Sequence, residues 1–178
     1  SINGQLGKFN DAIKALHKAL RIDSSSTDAL ARLGLAFFSA ERYEEAITTY
    51  KKLIKIEPDN IDALINISAA YLVLEEYEQA ILPLQQSLKI EQTSIALANL
   101  GKALHGTGND NDAQAQLEAA LNLQPSSLEA LMIMGEISHE QHDYEQALKY
   151  YEAATQHHPD VAKAWNNKGL VLYDSGQY

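Results

Sequence analysis

The residues best equipped for chemistry sit in the second half of the chain. His139-Glu140-Gln141-His142 places two imidazoles around a carboxylate, a pairing that binds zinc when the histidines lie four apart on one helical face. Here they are three apart, with Glu136 one turn earlier, so these residues offer a weak surface metal site at most, and a solvated helix end is the plainer reading. His157-His158 precede Pro159, where an imidazole would cap the negative end of a helix. Gly106-Thr107-Gly108, followed by Asn109-Asp110-Asn111-Asp112, has the outline of a phosphate or calcium loop. A phosphate loop needs a preceding strand and a third glycine, and a calcium loop needs a late bidentate Glu. Neither requirement is met, and the stretch reads as an inter-helix turn. Asn66-Ile67-Ser68 is formally a glycosylation acceptor but lies mid-helix. No nucleophile stands at a useful spacing from a base, and there is no cysteine. No catalytic residue, no cofactor and no metal site is expected.

Composition narrows the field further. Lys and Arg number 14 and Asp and Glu 24 in 178 residues, a formal charge of −10 that repels a phosphate backbone, so no nucleic-acid partner is expected. Apolar residues make up 46%, too many for a disordered chain and spread too evenly for a membrane span. No charged leader followed by an apolar core opens the sequence, which points to a cytoplasmic location. Four prolines and nine glycines suit helices joined by brief turns.

The elements that position these residues recur at a fixed interval. Ala12, Ala46, Ala80, Ala113 and Ala147 are separated by 34, 34, 33 and 34 residues. Phe9, Tyr43, Tyr77, Tyr144 and Tyr178 keep the same spacing, with Asp110 interrupting the aromatic series. Gly34, Gly101, Gly135 and Gly169 follow the period with Ser68 standing in for one glycine, as do Pro58, Pro125 and Pro159. Within residues 27–60, Leu30, Leu33, Phe37 and Phe38 mark one helical face; Ser39-Ala40-Glu41-Arg42 breaks it; Ala46, Ile47, Tyr50, Leu53 and Ile54 mark a second. Glu57-Pro58-Asp59-Asn60 then closes the unit, because proline cannot continue a helix and Asp or Asn can cap the next one.

These residues resemble the tetratricopeptide repeat, a 34-residue pattern of apolar or Trp, Leu-Gly, aromatic, Ala, aromatic and Pro. Leu30, Leu33-Gly34, Phe37, Ala46, Tyr50 and Pro58 match it, as do Leu131, Met134-Gly135, Ala147, Tyr151 and Pro159; Trp165 and Gly169 open a further copy, with Lys168 where Leu is usual. The resemblance implies an all-α fold, a right-handed α-α superhelix or solenoid of helix-turn-helix repeats. The expected boundaries are a single array over 1–178: a partial repeat at 1–26, full repeats at 27–60, 61–93, 94–127 and 128–161, and the first helix of another at 162–178. Gly34 and Ala46 are small so that paired helices approach closely, and each pair buries its apolar face only against a neighbour.

Two irregularities carry expectations. The 33-residue unit lacks one residue and its proline at Glu91-Gln92-Thr93-Ser94, and Pro83 lies inside its second helix, predicting a local bend. No polar cap closes either end, so the chain is expected to be a fragment of a longer protein, with a second helix over 9–22 and weak head-to-tail self-association through its open ends.

The resemblance also implies a concave groove lined by the first helix of each repeat. The residue before the Leu-Gly pair is Arg32, Asn66, Asn99, Ile133 and Asn167 in successive units. The three asparagines resemble the ladder inside the repeats of O-linked N-acetylglucosamine transferase, where an amide can donate to and accept from a peptide backbone; the plainer reading is that Asn is simply a common exposed residue. The expected groove comprises Arg32, Leu35, Phe38, Ile65, Asn66, Leu72, Asn99, Lys102, Met132, Glu136 and Asn167. Its acidic balance favours a peptide with basic residues flanking apolar ones. No register supplies the Lys, Asn and Arg set with which related repeats clamp chaperone C-terminal tails, so that partner is not expected. The leading expectation is a non-catalytic scaffold that binds a peptide segment of a partner protein. A targeting arm of a larger enzyme such as a glycosyltransferase, and a self-assembling array, are the rivals.

Overall fold

The computed structural model describes residues 2–176, and Tyr178, the last aromatic of the series, lies outside the described residues. Among the described residues there are ten α-helices and no strand. They are α1 (Ile2–Ile22), α2 (Thr27–Ser39), α3 (Tyr43–Ile56), α4 (Ile61–Val73), α5 (Tyr77–Ile90), α6 (Ser94–Gly106), α7 (Asp110–Leu123), α8 (Leu128–Glu140), α9 (Tyr144–His157) and α10 (Ala162–Asp174). None is long and apolar enough to cross a membrane. The chain divides into two compact units, Ser1–Glu91 and Gln92–Tyr178. The division falls in the turn where the period is one residue short.

Within each unit every helix packs on the next in sequence, and α6 also touches α8. Contacts confined to neighbours are the mark of a stacked repeat. In the first unit Leu30, Leu33, Phe37, Ala46, Ile47, Tyr50, Leu53 and Ile67 form one buried cluster. In the second, Leu131, Ala147, Tyr151, Ala154, Ala164 and Val171 form another. Each large buried side chain contributes about 1.5–3 kcal/mol, mostly offset by the entropy of ordering the chain.

The small residues do what their spacing suggests. A Cβ on Gly34 would lie 2.6 Å from the Tyr50 ring, and one on Gly135 2.7 Å from the Tyr151 ring. Ser68, fully buried in the glycine position, donates its hydroxyl to the Leu64 carbonyl at 2.9 Å. The polar break between paired helices is a left-handed turn that itself recurs with the period: Glu41, Glu75, Gly108 and His142 have φ of 59°, 58°, 78° and 61°. In each turn two backbone bonds cross, as in Arg42 N–H to Phe37 C=O at 2.9 Å and Glu41 N–H to Phe38 C=O at 3.0 Å. This is the Schellman arrangement, which satisfies the last carbonyls of a helix. Asn60 accepts from the Ala63 N–H at 2.9 Å and so caps α4, as its place after Pro58 suggests.

One local expectation needs revision. The helix expected over 9–22 is part of a longer one, because α1 passes through residues 5–8 without the turn that separates other pairs. Pro83 lies inside α5, which runs from Tyr77 to Ile90, and its ring removes one helical hydrogen bond there.

Candidate functional site

In the first unit α2 and α4 flank a cleft of about 330 Å³. Asp28, Ala31, Arg32 and Leu35 line it from α2, Asp62, Ala63 and Asn66 from α4, with Asn60 at the α4 cap and Tyr50 and Leu53 contributed by α3. The Arg32 guanidinium donates through Nε to both Asp28 oxygens at 2.9 Å, one helical turn away, so its charge is largely met within α2. No ion pair meets the Asp62 carboxylate among the described residues. Burial first, and the Asp62 charge second, push the Tyr50 hydroxyl up to about 12, which keeps it a neutral donor. Leu35 is 56% exposed. Asn66 is half-buried, and among the described residues its side chain makes no hydrogen bond. An amide held on a helix with both functions unspent can pair with a peptide group.

The remaining expected groove residues divide. Ile65 is half-buried on α4, and Phe38 is half-buried with its ring edge-on to Tyr43 at 5.2 Å, so Phe38 serves mainly to pack its own helix pair. Leu72 and Met132 are corrections: they are 6% and 8% exposed and belong to the interior. Burial of this kind is something an apolar residue type does not reveal. In the second unit Asn99 is half-buried on α6 without a side-chain hydrogen bond among the described residues. Lys102 pairs with Glu129 across α6 and α8 at 2.9 Å. Glu136 is exposed on α8. Asn167 differs from its counterparts, since its amide donates to the Tyr151 hydroxyl at 3.4 Å. The structure thus brings Arg32, Leu35 and Asn66 to one cleft and places Asn99, Lys102 and Glu136 on neighbouring helices of the other unit.

The histidines of the 139–142 stretch do not converge. His139 Nε2 lies 2.8 Å from Asp174 Oδ2, and His142 Nδ1 lies 3.2 Å from the Tyr144 hydroxyl. His158 Nε2 reaches the Ser126 carbonyl at 2.6 Å instead of capping its own helix. Gly106 ends α6, residues 107–109 form the turn to α7, and the Asn109 amide donates to Thr107 Oγ1 at 2.8 Å without capping α7.

A larger cleft, about 960 Å³, escaped the sequence reading. Lys14, His17, Lys18 and Arg21 of α1 face Glu45, Thr48, Thr49 and Lys52 of α3 across Leu30, Leu33 and Phe37 of α2. The spacing 14, 17, 18, 21 is one helical face and was the available signal. It was hidden by the acidic total. Arg42 hydrogen-bonds the Glu45 carboxylate and is the chief cause that holds it below the usual carboxylate range.

Family profiles described as TPR repeat or Tetratricopeptide repeat match residues 5–51, 34–74, 95–127 and 139–178. The chain belongs to the tetratricopeptide repeat proteins, and its fold is an all-α helical-repeat solenoid. Among solved structures it is similar to MamA, at 23% identity over 88% of this chain and 92% of that one, with a TM-score of 0.77. It is also similar to YrrB, described as a TPR protein with an unusual peptide-binding site, at 20% identity over 93% and 86% of the chains and a TM-score of 0.69. A third is pilF of Pseudomonas aeruginosa, at 22% identity over 96% and 78% with a TM-score of 0.78. At these identities the likeness is one of fold. No curated protein matches the chain by sequence.

Proposed function

We propose that this protein is an interaction scaffold that binds a peptide segment of a partner protein on the faces of its first helices. The observation that carries this reading is the α2–α4 cleft, where an exposed Leu35, an uncommitted Asn66 amide and an unpaired Asp62 carboxylate line one depression. An apolar contact, a backbone-reading amide and an anion together suit a peptide with an apolar residue beside a basic one. The peptide-binding site in the name of YrrB gives the reading a precedent in a similar fold.

The test is selection from a displayed random-peptide library on the 178-residue chain, followed by titration of the selected peptides. In Leu35→Ala/Asn66→Ala, affinity should fall severalfold, since a lost hydrogen bond alone costs about 0.5–1.5 kcal/mol. Undiminished binding by a variant of unchanged helicity would sink this reading. The basic cleft supports a second reading, capture of an acidic segment by Lys14, Lys18, Arg21 and Lys52. Peptides bound there would be acidic, and would lose affinity in Lys18→Ala/Lys52→Ala and with added salt.

A further inference from the structure

We propose that His105, Glu136 and Glu140 form a binding site for a divalent transition-metal ion of the zinc class. His105 lies in the last turn of α6, and Glu136 and Glu140 lie one turn apart on the same face of the adjacent α8. One donor atom from each of the three comes within 4.8 Å of the others. His105 Nε2 stands 3.9 Å from Glu140 Oε2, too far for a hydrogen bond. Two ligands of a tetrahedral zinc at about 2.0–2.1 Å are about 3.3 Å apart. Small rotations of three side chains, two of them exposed, close that gap. No Lys or Arg pairs with Glu136 or Glu140 among the described residues, so the two carboxylates and the imidazole gather with no paired basic side chain among them.

A second arrangement, independent of the three donors, prepares the ring. His105 Nδ1 is 2.8 Å from Asp110 Oδ1 on α7. A carboxylate on one ring nitrogen fixes the proton there and leaves the other nitrogen as an acceptor, the usual support for a metal-ligating histidine. The repeat shows that this support is a departure from packing. At the equivalent places Phe38 packs edge-on to Tyr43 at 5.2 Å and His139 lies against Tyr144 at 5.8 Å. Only at Asp110 is the aromatic series broken, and there the ring gains an anion instead of a neighbour. One period further on, His139 bonds directly to Asp174, the counterpart of Glu140, while Leu170 stands where Glu136 would be. That layer has neither the supporting carboxylate nor the third ligand. One imidazole and two carboxylates suit Zn²⁺. Three protein donors also leave a coordination position open to a donor group from a partner.

The experiment uses the intact chain freed of metal with a chelator and titrated calorimetrically with Zn²⁺, with Co²⁺ absorption as the spectroscopic probe. One equivalent should bind. His105→Gln and Glu136→Gln/Glu140→Gln should each abolish that binding or weaken it by at least about tenfold, and Asp110→Asn should weaken it about 10–100-fold. His139→Gln and His157→Gln should leave it unchanged. The glutamines at 136 and 140 replace exposed side chains of the same shape, so a folding defect in His105→Gln does not remove the test. Absence of stoichiometric Zn²⁺ binding overturns the proposal. So does binding that survives loss of the two carboxylates, or that is lost with His139.

Discussion

Residues 1–91 carry ten Lys and Arg against thirteen Asp and Glu, whereas residues 92–178 carry four against eleven and hold five of the six histidines. The packing positions barely differ. Gly34 meets Tyr50 in the first unit as Gly135 meets Tyr151 in the second, and both units turn between paired helices through a left-handed residue. The units diverge at positions that face solvent. The first presents a basic face on α1 and an amide cleft between α2 and α4; the second presents carboxylates and imidazoles on α6 and α8. A stacked repeat constrains only the residues that hold neighbours together. Surface chemistry is free to vary from layer to layer, so two units of one construction can serve different ligands.

That comparison can be broken or sharpened by experiment. The largest difference concerns alkali. Tyr50 ionises near 12 in the folded state against 10 for an unburied tyrosine, so its contribution to stability is complete below pH 10 and is lost as the pH rises from 10 to 12. The loss should be on the order of 2–3 kcal/mol. Burial also raises the Tyr151 value, but the hydrogen bond from Asn167 opposes it. Denaturant melts between pH 9 and pH 12 should therefore be flattened more by Tyr50→Phe than by Tyr151→Phe, and equal flattening would erase the distinction.

Next come the close approaches. Gly34→Ala and Gly135→Ala each force a Cβ into a buried ring and should cost about 1–3 kcal/mol, with faster amide exchange confined to the altered unit. Gly169 has open space around its absent Cβ, so Gly169→Ala should stabilise α10 by up to about 1 kcal/mol, through helix propensity alone. Destabilisation there would mean that position 169 is packed after all. The smallest effect belongs to the turns. Glu41→Gly relieves a left-handed conformation at some entropic cost and should raise the thermal midpoint by the equivalent of under about 1 kcal/mol. A similar gain from His142→Gly would show that the turns of the two units are energetically alike.

Much of the fold was legible because packing repeats. Leu30, Gly34, Ala46 and Tyr50 recur in type and spacing, and each has a single place in a helix pair. The candidate groove was legible only in part. Arg32, Leu35 and Asn66 do share a cleft, yet Leu72 and Met132 are interior, since a leucine or methionine one turn away from a packing residue reads the same whether it meets a partner or the core. The His139–His142 stretch drew attention through proximity in sequence, whereas the residues that converge are 31 and 35 positions apart, His105 with Glu136 and Glu140.

The sequence by itself determined that this chain is a run of paired helices and which small residues lie between them, because helical period and repeat length are local and cumulative. Tertiary structure decided which solvent-facing side chains meet. Stacking brings together residues about one repeat apart, and which of them meet depends on how the packed helices orient their faces, which the local pattern does not fix.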